Sequence, residues 1–200
     1  MSSSPRIAVI AAHQAPPFAA RRLNAGVRRA IPLTEERVEG LASAALGAPY
    51  ARAHMGGMKL FTIGYEGATQ ADVIGRLKAA GVQTLVDVRA VAASRRAGFS
   101  KTILGESLKA EGVDYLHLRA LGTPKAGRDA ARKGHVDEMR AIFADHMAEP
   151  ASQLQLQQLK TLAAEKRVAM LCFEADHAGC HRAVLAEQLA REDGFEVVNL

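Results

Sequence analysis

Apolar runs of strand length recur between residues 58 and 200, and a helix-length segment separates each run from the next. The runs fall at residues 60–63, 84–88, 113–118, 168–173 and 196–200. Thr69 is placed to cap a helix that buries Val73, Ile74 and Leu77 and stops at Gly81. Ser100 is placed to cap a second, with Ile103, Leu104 and Leu108 at helical spacing before Gly112. A polar stretch containing Gly, Lys and Arg follows at 121–134. Helical segments come next at 136–147 and, opened by Pro150, at 151–164, with a last helix at 180–191. Strands joined by helix-length crossovers imply right-handed connections and a parallel sheet covered on both faces. The expected fold is α/β: a single doubly wound, mainly parallel five-stranded sheet with helices on both faces. Its long excursion between strands three and four is where the chain crosses back. That predicts strand order 3-2-1-4-5, with the switch point between strands one and four.

Residues 1–57 follow no such pattern. They are rich in Ala, Arg, Pro and Ser, and Pro16, Pro17, Pro32 and Pro49 interrupt their few apolar runs. A short strand at 7–12 and a Thr34-capped helix at 32–46 are the elements they offer. The Arg-rich, acid-poor opening has the composition of a transit peptide, which low-complexity sequence also shows. We expect a poorly structured extension over 1–57 or a true translation start at Met58, with the α/β domain over 58–200.

Charge is distributed unevenly. The net charge is +5, but the first 57 residues hold seven Arg, no Lys and three Glu, so the tract supplies most of it. Within the body, residues 89–134 carry ten basic groups against four acids, and 135–200 carry six against eleven. That local basic region points to an anionic ligand better than the total does. An apolar content of 48% and a mean hydropathy of −0.03 describe a soluble globular chain. No run nears the roughly 18 apolar residues of a membrane span. Two cysteines cannot build a disulfide scaffold, so a reducing cytoplasm is the expected compartment.

Reactive side chains concentrate at residues 171–182, where an apolar strand turns into a helix. Both cysteines lie here, Cys172 and Cys180, with Glu174, Asp176, His177, His181 and Arg182. A helix starting at Cys180 would present free N–H groups to an anion, with Arg182 adding a charged fork. The same field would lower the Cys180 pKa and make its thiolate a nucleophile. The plainer alternative makes Cys180 a packing residue and pairs Arg182 with Glu174 or Asp176. Zinc binding by Cys172, His177, Cys180 and His181 is a further reading. Their C-x4-H-x2-C-H spacing fits no standard module, and adjacent residues point in different directions on a helix. Cys172, inside a buried strand, reads as core.

Asp87 and Arg89 end the second strand, where side chains two apart share a face, so the pair can form a charged couple there. Asp87 is either a general base, a metal or ribose ligand, or a brace for the polar loop that follows. Ser94, Arg95, Arg96, Gly98, Ser100 and Lys101 make a basic turn into a helix, suited to phosphate or simply solvated. Phe99 alone is too little for a base-stacking platform, and the absence of Trp weighs against sequence-reading RNA modules. Gly64-Tyr65-Glu66-Gly67 lacks the dinucleotide fingerprint. Walker A, G-x-S-x-G and H-E-x-x-H patterns are absent too, which removes most of the case for nicotinamide redox chemistry and NTP hydrolysis.

Five motifs taken together carry a resemblance. They are Thr62 to Gly67, Leu85 to Arg89, Ser94 to Arg96 with Gly98 to Lys101, Leu121 to Lys125, and Cys172 to Glu174 with Cys180 to Arg182. In this order they resemble the domain-of-unknown-function 488 family of bacterial and archaeal proteins, over about Met58 to Leu200. The resemblance implies an α/β fold, no particular reaction, and a site formed by Tyr65, Glu66, Asp87, Arg89, Ser94, Arg95, Glu174, Cys180, His181 and Arg182. The chain departs from the pattern at Ala92 and Ala97, where prolines are usual, and at His177, where Asp-Pro is expected. The first two loosen the loop before Phe99, and the third adds a titratable group.

The reading that follows is an enzyme-like domain binding a phosphorylated or otherwise anionic ligand, a nucleotide or a nucleic-acid end, at the carboxyl edge of the sheet. Tyr65, Glu66, Arg89, Ser94, Arg95, Lys101 and Arg182 would bind it, and Asp87, Glu174, Cys180 and His181 would supply the chemistry. The alternatives are a non-catalytic module for nucleic acid or a partner protein, and a zinc-stabilised structural domain. No cofactor, oligomeric state or membrane association is assigned.

Overall fold

A computed structural model describes residues 57–200 of the chain. The expectations for the N-terminal extension, including its strand at 7–12 and helix at 32–46, lie outside the described residues. Five strands form one parallel sheet: β1 Lys59–Gly64, β2 Thr84–Asp87, β3 Asp114–His117, β4 Val168–Cys172 and β5 Glu196–Asn199. The helices are α1 Gln70–Ala79, α2 Lys101–Ala110, α3 Lys125–Arg132, α4 Val136–Met147, α5 Pro150–Glu165 and α6 His181–Asp193. None of them is long and apolar enough to cross a membrane.

Local chemistry accounts for most boundaries. Thr69 caps α1 in a reciprocal box with Asp72: the Asp72 N–H donates to the Thr69 hydroxyl, and the Thr69 N–H to the Asp72 carboxylate. Pro150 opens α5, where its missing N–H costs nothing, and Gly194 ends α6 in the left-handed conformation. Three local expectations need correction. The polar stretch at 121–134 contains helix α3, whose buried face is only Gly127 and Ala130, so it has no apolar stripe to announce it. Ile103 is 56% exposed, so α2 packs through Leu104 and Leu108. Ser100 does sit at the N-cap of α2, but its hydroxyl donates to the Ser94 carbonyl oxygen and accepts from the Ser94 N–H instead of capping the helix.

The sheet order is β3-β2-β4-β1-β5, not the expected 3-2-1-4-5. β4 lies between β1 and β2, pairing Leu60 to Val168 on one side and Thr84 to Val168 on the other. Strands β1, β2 and β4 are largely apolar and, apart from Lys59, buried on both faces, so their patterns are interchangeable and do not rank them. The edge strands β3 and β5 are the part-exposed ones.

The order decides where ligands meet the sheet. Crossovers out of β1 and β2 run one way, and those out of β3 and β4 run the other. With one handedness, that puts α1 and α2 on one face and α3–α6 on the opposite face. Two core layers reflect this. Phe61, Ile63, Leu77, Leu85, Leu108 and Leu171 fill one, and Leu60, Val86, Phe143, Leu159, Met170 and Leu189 fill the other. The carboxyl end of β4 is therefore flanked on both sides by strands whose chains leave toward the opposite face. That opens a crevice at β4.

Candidate functional site

Three chain segments meet at that crevice: the ends of β1, β2 and β4. Gly64 is what lets them meet. A Cβ there would sit 1.9 Å from the Glu174 carbonyl oxygen, so only glycine allows the loop after β4 to lie on β1. The N–H groups of Tyr65 and Glu66 then both donate to the Phe173 carbonyl oxygen, and the Ala175 N–H donates to the Glu66 carboxylate.

The first side-chain cluster is a buried ion pair on the α1–α2 side. Asp87 is 0% exposed and accepts from the Arg89 N–H at 3.0 Å, Arg89 Nε at 2.8 Å and the Tyr115 hydroxyl at 2.6 Å. Arg89 Nη1 donates to the Tyr65 hydroxyl at 2.7 Å, and the Tyr65 ring stacks on Phe99 with centroids 4.3 Å apart. Burial works against the charge on Arg89, but its bonds to Asp87 outweigh that and hold its pKa above the usual arginine value. Burial, then the Asp87 charge, pushes the Tyr115 phenol well above its ordinary range. These groups satisfy one another within the fold, as a brace for the strand end does.

The second cluster lies on the α6 side. Cys172 ends β4, Cys180 is the N-cap of α6, and His181 opens its first turn. Glu174 accepts through Oε2 from the Cys172 thiol at 2.9 Å and the Cys180 thiol at 3.1 Å. His181 Nδ1 lies 3.7 Å from each sulfur, and Nε2 lies 3.0 Å from the Val88 carbonyl oxygen. A carbonyl only accepts, so Nε2 carries a proton and Nδ1 is the nitrogen that faces the sulfurs. The objection that adjacent Cys180 and His181 must diverge does not hold. Cys180 has extended backbone (φ −114°, ψ 144°), which turns its side chain back toward that of His181. Among the zinc candidates read from sequence, Cys172, Cys180 and His181 converge, while His177 is exposed and outside this group; Glu174, which was not among them, accepts from both thiols.

Electrostatics in this cluster also differ from expectation. Burial, then neighbouring Cys172, raises the Cys180 thiol well above its ordinary pKa, so the helix end does not yield a ready thiolate. Glu174 is held below the usual carboxylate range: burial opposes its charge, but donation from Cys172 and the other N–H and S–H groups outweighs it. Arg182 is 1% exposed and its fork is taken inside the loop. Nη1 donates to the Glu174 carbonyl oxygen at 2.6 Å and Nη2 to that of Ala175 at 3.0 Å. Its Nε is buried with no partner among the described residues.

The remaining expected residues are more dispersed. Ser94 accepts from the Arg96 N–H, and Arg96 donates to the Ala68 carbonyl oxygen, which ties the basic turn to the start of α1. Arg95 and Lys101 are exposed, and their side chains make no hydrogen bond or ion pair among the described residues.

One feature of this edge went unread in the sequence. A groove of about 550 Å³ beside the end of β2 is lined by Arg119, Lys125, Arg128 and His146, with Glu149 as its acid. Gly122 shapes it, since a Cβ there would strike the Ala90 backbone N at 2.0 Å. The cationic bias of residues 89–134 and the Leu121 to Lys125 motif were the available signals. A cavity of similar size at the amino edge, lined by Lys59, Gln83 and Arg167, holds none of the expected residues.

Fold and site together define a doubly wound α/β domain with polar and thiol side chains gathered at its carboxyl edge. The chain belongs to the family described as Domain of unknown function DUF488, whose model matches residues 69–189. The matched span includes Asp87, Arg89, Glu174 and Cys180 to Arg182, and it stops short of Tyr65, Glu66 and β5. No curated protein and no solved structure matches the chain.

Proposed function

We propose that this is an enzyme-like domain whose ligand is a phosphorylated or otherwise anionic molecule, seated in the groove over the amino end of α3. The observation that carries the reading is the convergence of Arg119, Lys125, Arg128 and His146 on a single groove beside a helix start with no side-chain cap. The free N–H groups of that first turn and the positive end of its dipole favour the same charge as Arg119 and Arg128 do, while Lys125 is paired with Asp129 and the His146 ring is held by Ala120 and Glu149. Arg128 spends Nη1 on the Thr123 carbonyl oxygen at 2.7 Å, which anchors its guanidinium and leaves the other N–H groups for a ligand.

In this reading Arg119 and Arg128 contact the anion. Arg89 and Arg182, whose forks are engaged inside the fold, hold the strand ends in place. Glu174, Cys180 and His181 are the neighbouring groups with reactive chemistry, and Phe143 separates them from the groove: its ring is 5.2 Å from that of His181 and 6.4 Å from that of His146.

Calorimetric titration of the full chain with inorganic pyrophosphate and with nucleoside mono- and diphosphates tests it. Arg119→Ala and Arg128→Ala should each weaken binding about tenfold or more, as loss of a charged hydrogen bond does. Absence of binding at millimolar ligand, or affinity indifferent to both substitutions, overturns the reading. Tight binding of oligonucleotides with a steep salt slope, and none of pyrophosphate, would favour the nucleic-acid module instead.

A further inference from the structure

We propose that Cys172, Cys180, His181 and Glu174 form a tetrahedral site for a thiophilic divalent cation, with zinc the best fit. Two sulfurs and His181 Nδ1 converge, Glu174 Oε2 hydrogen-bonds to both thiols as the fourth donor, and none of this depends on the anion reading.

Donor chemistry comes first. The two sulfurs and His181 Nδ1 all lie within 4.8 Å of one another, in a buried cluster. Ligands about 2.3 Å (sulfur) and about 2.0 Å (nitrogen) from a tetrahedral ion stand roughly 3.5 Å apart. Both S···Nδ1 separations are 3.7 Å, so an ion fits between them with little movement. Glu174 Oε2 approaches both sulfurs more closely, at 2.9 and 3.1 Å, because the thiol protons bridge them; it retreats slightly when an ion takes the protons' place.

The outer shell is already in place. The bond from His181 Nε2 to the Val88 carbonyl oxygen fixes the tautomer and aims Nδ1 inward, the arrangement by which metal-bound imidazoles are oriented. Cys172 is held by the central strand β4 and His181 by the first turn of α6, so the ligands sit on rigid elements. Charge balances as well. Binding releases both thiol protons to solvent, and two thiolates and a carboxylate around a divalent ion leave one negative charge. The buried Arg182 guanidinium, bonded to the Glu174 main chain, offsets it. Sulfur and imidazole donors select zinc and its soft neighbours over magnesium or calcium.

The test uses the full chain, reduced and stripped of metal by a chelator, and titrated with cobalt(II) and then zinc. We expect stoichiometric cobalt binding with the intense visible bands of a tetrahedral ion and a near-ultraviolet thiolate charge-transfer band, both erased by zinc. Cys172→Ser and Cys180→Ser should each weaken binding and diminish the charge-transfer band, the double variant should lose the band, and Glu174→Gln should weaken binding by about tenfold or more. His177→Ala should keep full affinity, and so should Arg128→Ala, which separates this outcome from failure of the anion reading. Should the cysteine variants not fold, the unmodified protein still decides. Its two thiols should resist a thiol reagent when zinc is bound and react after chelation. A reduced chain that takes up no cobalt, or binds it without a thiolate band, overturns the proposal.

Discussion

The α-carbon of Gly64 faces the carbonyl oxygen of Glu174 so closely that a Cβ on it would lie 1.9 Å away. Glu174 itself accepts from both thiols, so this contact sets the position of a site residue as well as of a loop. Gly64→Ala should therefore act on stability and on the thiol cluster together. We expect a loss of at least about 2 kcal/mol in urea unfolding, since the obstacle is backbone and cannot rotate away. Thiol labelling of Cys172 and Cys180 in the native state should accelerate. An alanine variant as stable as the parent would mean that the loop does not rest on β1.

Asp87 and Arg89 offer a sharper test of brace against catalyst. Asp87→Ala leaves the Arg89 guanidinium buried without its partner, a change that costs about 3–5 kcal/mol. The matched double replacement by apolar residues should cost less than the sum of the single changes, because no charge is then stranded. Chemical denaturation of the four proteins measures the coupling. If Asp87→Ala keeps full stability but loses ligand binding or turnover, Asp87 contacts the ligand after all.

Tyr115 predicts an alkaline signature. Its phenol is raised in the folded protein by burial and by the Asp87 charge, so the folded state favours the neutral form. A group whose folded pKa lies above its unfolded value, about 10 for tyrosine, contributes stability that is intact below that value and is lost as pH rises past it. Ultraviolet titration should show the Tyr115 phenolate appearing only above the ordinary tyrosine range, and Tyr115→Phe should delete that late step. A Tyr115 that titrates like a free tyrosine would show that its bond to Asp87 does not persist in solution.

Phe143 packs edge-on against His181 and is fully buried. Phe143→Ala should cost about 3–5 kcal/mol through the cavity it leaves. It should also loosen His181, visible as broadened imidazole resonances. A sharp, unshifted His181 signal in a destabilised variant would place the orientation of His181 with the Val88 carbonyl alone.

The α/β class, the five strands and most helix limits follow from local pattern, because apolar spacing and capping chemistry act within a few residues. Thr69 with Asp72, Pro150 and Gly194 are examples. The pairing of Asp87 with Arg89 was legible for the same reason: residues two apart on a strand share a face. Helix α3 was not, since a helix that buries only Gly127 and Ala130 shows no apolar period.

What pattern could not reach was adjacency. β1, β2 and β4 carry equivalent apolar runs, so nothing local ranks them, and the seat of β4 between its two neighbours emerges from packing all the crossovers at once. That placement brings Val88 under His181 and Glu174 against Gly64, contacts spanning 93 and 110 positions of chain. The sequence likewise named Cys180 and His181 but read them as diverging, because the outcome turns on the extended backbone at one residue, Cys180. Composition and periodicity specify which elements form and which faces they bury. Which reactive groups meet is settled by long-range closure, where many weak contacts are satisfied jointly and no short window of residues holds the answer.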